Sequence, residues 1–271
     1  MDRQPVVAGQ FYTGSARALD AEVRGYLAAA QPPEERDRPT LLAMVPHAGY
    51  MYSGGVAGLT LGQANLAKSI LLLGPNHTGQ GRSLAVWPQG RWLTPLGAAQ
   101  VDEALAAACL AADQHLTPDP AAHLQEHSLE VVVPFLQAKV PGFSMVPMAV
   151  AERNAETLLS VARNLAGAVK AANRPVSVVV SSDMSHYVTH EQAKERDALA
   201  VQAMLDLNPS GLYEVVRRHG ISMCGVLPMT LGLALAKELG ATRARLAAYA
   251  TSGQASGDYR RVVGYAGVLV D

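Results

Sequence analysis

The stretch SILLLGPNHTG, residues 69–79, decides the fold. After Ser69 the run is apolar at every position, without the polar alternation of a strand that has one face in water. A short apolar run closed by a turn signal reads as a strand covered on both faces. Gly74, Pro75 and Asn76 then turn the chain sharply and aim His77 back across the sheet edge. Comparable runs recur at 40–46 (TLLAMVP), 143–148 (FSMVPM), 176–182 (VSVVVSS), 245–251 (RLAAYAT) and 262–270 (VVGYAGVLV). Helical spacing occupies 19–30, 55–67, 102–112, 128–139, 154–172, 192–205, 209–218 and 226–239. Strand and helix in alternation predict an α/β fold: one domain over 1–271 with a central, mostly parallel mixed sheet covered by helices on both faces.

Three stretches depart from this rhythm. Residues 84–96 (LAVWPQGRWLTPL) fit helical spacing poorly and read as an antiparallel hairpin beside the main sheet. Residues 31–39 (QPPEERDRP) and 117–122 (TPDPAA) read as surface connections.

Composition excludes several classes of function. Lys+Arg 22 against Asp+Glu 23 gives a net charge of -1 without a long run of either sign. That leaves no concentrated positive surface for nucleic acid or an anionic membrane. Hydrophobic residues are 49% and charged residues 17% of the chain, the latter below the roughly 25% of an average domain. Much of the chain is therefore buried or faces another copy, which makes a homodimer an expectation. The two cysteines, Cys109 and Cys224, cannot form a disulfide framework. The opening MDRQPVVAGQFYTG lacks the pattern of a signal peptide, and no apolar run reaches the roughly 18 residues of a membrane span. A cytoplasmic protein is expected.

In open α/β sheets ligands bind beyond the carboxyl ends of the strands. Histidines gather there: His47 in VPHAGYMYSGG, His77 in LLLGPNHTG and His186 in VVVSSDMSHY. About four positions past each of six strands make roughly 24, so eight scattered histidines would place about 0.7 there. Three are found, which favours a site over three unrelated structural histidines. Gly49, Gly54 and Gly55 permit tight turns, with Ser53 as a cap for the next helix. Asp183 and His186 share a face if a helical turn follows the strand, and Asp183 then fixes the tautomer of His186 or of a neighbour.

Cys224 stands just ahead of the helix expected from Val226. A helix N-terminus can pull a thiol into the range of roughly 3.5–7.5 and favour thiolate, for metal ligation or for nucleophilic attack. A buried structural thiol is the alternative. Cys109, amid alanines, reads as core filling. Glu126, His127 and Glu130 either cap the apolar helix from Ser128 or enter the same pocket. His115, His123, His190 and His219 read as exposed, and Met44, Met51, Met145, Met148 and Met184 as core filling. No Walker loop, G-x-G-x-x-G, G-x-S-x-G, H-E-x-x-H or C-x-x-C is present.

On AGQFY, VPHAGYMYSGG, LLGPNHTG, EHSLEVVVPFLQ, SSDMSHY and CGVLPM, in that order, the chain closely resembles the MEMO family (mediator of ErbB2-driven cell motility). In prokaryotes that family is also called the protein B component of the AmmeMemoRadiSam system. It is similar in fold to class III extradiol dioxygenases, which use non-haem Fe(II). The resemblance implies a metal held by His47, His77 and Cys224, with Asp183 and His186 as catalytic groups and Glu126 and His127 also in the pocket. Cys224 takes the place that a glutamate has in the dioxygenases, and His186 that of their acid/base histidine. A thiolate shifts preference toward Fe(II), with Cu or Zn as the alternatives, and puts ordinary catechol cleavage in doubt. The resemblance also implies association with AMMECR1-like and radical SAM proteins.

Three functions compete on these residues. One is a metal-dependent redox enzyme acting on a small molecule, with His186 transferring protons. A second is a binding module whose dioxygenase-like pocket holds a metal, a peptide or a partner protein. The third has Cys224 as nucleophile and His186 as base.

Overall fold

Runs without polar alternation need cover on both faces, and the fold supplies it. A computed structural model describes residues 1–31 and 39–271; most of the connection expected at 31–39 lies outside the described residues. Twelve strands form one mixed sheet. They are β1 (Asp2–Arg3), β2 (Leu42–Val45), β3 (Ser69–Pro75), β4 (Leu84–Val86), β5 (Arg91–Thr94), β6 (Gly97–Val101), β7 (Thr117–Pro118), β8 (Ser144–Val150), β9 (Val176–Ser181), β10 (His186–Val188), β11 (Ala244–Thr251) and β12 (Val262–Val270). The order is β1-β5-β6-β8-β3-β9-β2-β12-β10, with β11 on β12, β4 on β8 and β7 on β4. At its centre β6, β8, β3, β9 and β2 run parallel. β12 joins β2 antiparallel.

Alternate residues of the central strands enter different cores. Leu42, Met44, Leu71, Leu73, Val178 and Val180 face the helices Glu103–Ala112, Ala155–Ala171 and Val226–Glu238. Ala43, Val45, Ile70, Leu72 and Val179 face Ala16–Ala28, Tyr50–Gln63 and Val133–Lys139. All of these strand residues are fully buried, and a Leu, Val or Ile side chain so placed stabilises by about 1.5–3 kcal/mol. Cys109 lies in the first core, as expected of filler.

Several boundaries fall where local chemistry puts them. The helix expected from Gly55 begins at Tyr50, with Gly49 as N-cap. Ser53 is inside it, and its hydroxyl donates to the Ala48 carbonyl instead of capping. The helix expected over 128–139 is a short 3-10 turn, Glu130–Val132, followed by Val133–Lys139. Pro134, which has no N–H to give, is tolerated in the first turn of that second helix. Thr189 and Gln192 close a capping box that starts the helix His190–Leu205 two residues early. The hairpin is β5 with β6, and it extends the main sheet through β8 instead of lying beside it. β4 pairs separately with β8. No helix among the described residues is long and apolar enough to cross a membrane.

Two expectations of exposure are reversed. Met51 is 68% exposed, because the early helix start turns it outward. His123 is fully buried. It is packed edge-on against Trp87 and Trp92, with its Nε2 at 3.2 Å from the Ala85 carbonyl. Above it Arg3, buried with its guanidinium 4.3 Å from the Trp92 ring centre, donates to the His123 and Glu126 carbonyls and pairs with buried Glu130 at 2.7 Å. Glu130 also accepts the backbone N–H groups of Val6 and Val7 and the Tyr12 hydroxyl. The N-terminal strand is thereby tied to the segment 123–130.

Removing one partner of a buried ion pair strands the other charge, at a cost of about 3–5 kcal/mol. Glu130→Ala is expected to lose that much in denaturant unfolding, whereas the double variant Arg3→Met, Glu130→Met recovers only the part due to the stranded Arg3 charge, since Val6, Val7 and Tyr12 still lose their acceptor. Burial, with the Arg3 charge beside it, depresses His123 to about 4 from 6.5. Between those values the unfolded chain binds a proton that the folded chain refuses, so stability is complete above pH 6.5 and falls as pH drops. The slope from this group reaches about 1.4 kcal/mol per pH unit. His123→Phe is expected to flatten it, read from urea unfolding at pH 4.5, 5.5 and 7.

Candidate metal centre

The chain passes from β2 to β3 through the helix Tyr50–Gln63 on one face, crossing β9. It passes from β8 to β9 through Ala155–Ala171 on the other face, crossing β3. Crossovers on opposite faces open a crevice at the carboxyl ends of β2, β9 and β3. His47, Asp183 and His77 each stand two residues past the end of their strand, and His186 begins β10. The pairing of Val45 with Ser181 sets the first two side by side.

Hydrogen bonds fix which nitrogen of each imidazole is bare. Ser181 gives its one hydroxyl proton to the Ser128 carbonyl at 2.7 Å. His47 Nδ1, 2.6 Å from the Ser181 hydroxyl oxygen, must therefore be the donor to it. Its Nε2 lone pair then faces Cys224 Sγ at 3.4 Å. Burial, reinforced by His77 and His127, holds His47 well below the ordinary histidine range and thus neutral. His77 gives Nδ1–H to Glu126 Oε1 at 2.9 Å, which leaves Nε2 as the nitrogen without a protein partner. Asn76 shapes that turn: its Oδ1 accepts from Thr78 and Gly79.

Glu126 is buried and holds His77 twice, through the ring and through the backbone N–H. Burial alone would raise its pKa, but the His77 bonds and the Ser128 N–H bring the carboxyl down to about 2. For His77 burial is outweighed by Glu126, and the ring lies above the ordinary range. A carboxylate on the far nitrogen of a ligating histidine is the usual way of orienting it and raising its basicity.

Cys224 receives the Asp183 N–H at 3.2 Å. Gly225 allows that approach, since a Cβ there would stand 2.4 Å from Ser182 Cβ. Gly74 does the same for the segment 126–130, where a Cβ would meet Leu129 at 2.5 Å. Burial, and then the Asp183 charge, push the Cys224 thiol up. The depression expected from the helix N-terminus is overridden, because desolvation of the thiolate exceeds the dipole's effect. Without a metal the thiol keeps its proton; binding would release it.

Asp183 does not share a helical face with His186, because no helical turn follows β9. Its carboxyl accepts the His47 backbone N–H at 2.8 Å instead. His186 is oriented by Ser222, whose carbonyl lies 2.8 Å from Nδ1 and whose hydroxyl accepts the His186 N–H. That leaves Nε2 of His186 without a hydrogen-bond partner among the described residues. His127 enters the pocket, stacked on His77 at 4.8 Å and edge-on to His47 at 5.6 Å. Glu130 points away to Arg3.

The ligand atoms of His47, His77 and Cys224 all lie within 4.8 Å of one another, as do those of His77, Glu126 and His127. Both groups share His77, and Glu126 already accepts from its Nδ1, so they describe one centre with an orienting carboxylate. Zn–N and Zn–S bonds of about 2.0 and 2.3 Å would set a tetrahedral nitrogen and sulfur about 3.5 Å apart. The His47–Cys224 separation of 3.4 Å fits that spacing. Two imidazoles and one thiolate suit Fe(II), Cu or Zn. Ser128, Ser181 and Ser222 were not singled out from sequence. The serine pair closing VSVVVSS was a signal for Ser181, but nothing local marks the others.

Comparison with known proteins gives the family and the fold. A family model described as Memo-like protein matches residues 3–269. A MEMO1 family protein of Methanopyrus kandleri is 37% identical over 279 residues, covering 99% of both chains. One from Aquifex aeolicus is 38% identical over 268 residues, covering 98% of both. Among solved structures, an uncharacterized protein of Escherichia coli K12 has a TM-score of 0.52 at 13% identity, covering 84% of this chain and 99% of that one. That likeness shows the fold alone.

Replacing an orienting partner of a metal ligand costs about 10–100-fold in metal affinity. Glu126→Gln is expected to weaken Zn(II) or Fe(II) binding by that factor in anaerobic competition with a chromogenic chelator, with the fold intact by circular dichroism.

Proposed function

The chain belongs to the Memo-like protein family, and from that premise we propose that it holds one metal ion through His47, His77 and Cys224 and works as a non-haem metal-dependent oxidoreductase related to extradiol dioxygenases. The observation that carries this reading is the pair of bare Nε2 atoms, fixed by Ser181 and Glu126, converging with Cys224 Sγ. Fe(II) is the first choice of ion, with Cu or Zn as alternatives. Bound there, the ion would supply Lewis-acid or redox chemistry to a small-molecule substrate.

The protein's own groups have separate tasks. Cys224 gives up its proton as it becomes a ligand. His47 and His77 arrive already oriented. His186, with Nδ1 committed to the Ser222 carbonyl, holds or takes up a proton at Nε2, a role worth about 10²–10⁴ in rate. Asp183 positions His47 through its backbone N–H and sets Cys224 through its own. A nucleophilic Cys224 with His186 as base is less well supported, because the imidazole nitrogen facing the sulfur belongs to His47 and burial favours the thiol. A non-catalytic binding module is the second reading, favoured by a thiol where the dioxygenases have a carboxylate.

Metal analysis after anaerobic purification, followed by an oxygen-uptake screen over catechols and related diols, tests these readings. Wild type is expected to carry about one ion per chain, and Cys224→Ser to lose most of it. His186→Ala is expected to keep the ion while turnover falls at least about 100-fold. Unchanged metal content in Cys224→Ser removes that residue from the ligand set, and bound iron without oxygen uptake favours the binding module.

A further inference from the structure

After β9 the chain passes through Ser182, Asp183, Met184 and Ser185 before His186 opens β10. A segment outside regular strand pairing has to place its amides one by one, and this one sets them on five different supports. Ser182 gives its N–H to the Val45 carbonyl, Asp183 to Cys224 Sγ, Met184 to the Gly264 carbonyl, Ser185 to Asp197 Oδ1 and His186 to the Ser222 hydroxyl. Asp197 is the only carboxyl among these acceptors, and it holds the residue that precedes His186.

Asp197 belongs to the helix His190–Leu205 and is fully buried. Its Oδ1 lies 2.9 Å from the Ser185 nitrogen, and its Oδ2 accepts the Tyr249 hydroxyl at 2.8 Å. No Lys or Arg pairs with it among the described residues. Burying a carboxyl without a counter-charge is unfavourable, and burial raises the pKa of this one. The fold nevertheless makes room for it. A Cβ on Gly264 would collide with Asp197 Oδ2, so β12 carries glycine where it passes the carboxyl. Both backbone groups of Gly264 bond the same segment, the N–H to the Ser185 carbonyl and the carbonyl to the Met184 N–H, each at 2.8 Å. Beyond Ser185, the His186 backbone N–H and ring Nδ1 both go to Ser222, at 2.7 and 2.8 Å. Hydrogen bonds weaken steeply with displacement, so a movement of the chain at Ser185 would open both together.

We propose that Asp197 is a positioning residue for His186: by holding the Ser185 N–H it fixes the chain from which the ring hangs, keeping Nδ1 on the Ser222 carbonyl and leaving Nε2 as the nitrogen that exchanges protons. Its value to turnover rests on the proton-carrying role of His186 inferred above; the positioning itself does not.

The test is two-bond ¹H–¹⁵N correlation NMR of the metal-free full chain at about pH 8.5, above the ordinary histidine pKa, with the His186 signals assigned by their loss in His186→Gln. Wild type is compared with Asp197→Asn, Asp197→Leu and Tyr249→Phe. Wild type is expected to hold the His186 proton on Nδ1. Asp197→Asn is expected to keep that form, because the amide oxygen still accepts from Ser185 and its NH₂ gives to the Tyr249 oxygen. Asp197→Leu is expected to lower the ratio of Nδ1–H to Nε2–H about tenfold, the effect of losing one hydrogen bond. Tyr249→Phe removes a bond from the same carboxyl but not the one to Ser185, and is expected to leave the ratio unchanged, which separates positioning from a general loosening. If Asp197→Leu does not fold, Gly264→Ala, whose Cβ displaces the carboxyl, supplies the comparison. A wild-type proton on Nε2, an unchanged ratio in Asp197→Leu or Gly264→Ala, a loss in Asp197→Asn as large as in Asp197→Leu, or a matching loss in Tyr249→Phe would overturn the assignment. Turnover by His186→Ala at the wild-type rate would count against the proton-carrying role alone.

Discussion

Parallel pairing of β2, β9 and β3 is the constraint on which the rest depends. Three neighbouring strands that run the same way must end at the same edge, and their connections must cross on the faces. One crossover lies on each face here, so the edge between them is left uncovered. Everything polar that the chain brings to that edge meets in one crevice. With both faces buried, the strands hold only small polar side chains whose hydroxyls are hydrogen-bonded, such as Ser177 and Ser181, and the histidines follow the strands instead of lying within them.

Orientation is supplied from behind. Each of His47, His77 and His186 has one ring nitrogen bound to a protein acceptor, a serine hydroxyl, a carboxylate and a backbone carbonyl respectively. The segment 126–130 contributes twice, through the Glu126 carboxylate and the Ser128 carbonyl. That segment is itself held by Arg3 from the far N-terminus, through the carbonyls of His123 and Glu126 and the carboxylate of Glu130. A buried cation more than a hundred residues away in sequence thus fixes the rings that face the centre.

Much of this was legible in the chain. All six apolar runs are strands, because a continuous apolar run is stable only with cover on both sides, and this physics acts locally. His47, His77, Cys224, His127 and Glu126 do converge. Errors arose where tertiary contacts outweigh local signals. Ser53 was expected to cap a helix that in fact begins at Tyr50. His123 was expected in water, yet two tryptophans and Arg3 enclose it. Cys224 was expected as thiolate, yet desolvation raises its pKa.

The sequence by itself determined the layers, the strand ends and the residue types gathered at them, since these follow from apolar periodicity and turn chemistry over a few residues. Only the tertiary structure decided the state of each group. Which imidazole nitrogen is bare, which carboxylate orients and which clamps a backbone, and whether a thiol keeps its proton all depend on burial and on partners distant in sequence. Ser181 shows the difference most clearly: in VSVVVSS it is one more residue of a buried strand, and only the folded chain sets its hydroxyl between the Ser128 carbonyl and His47 Nδ1.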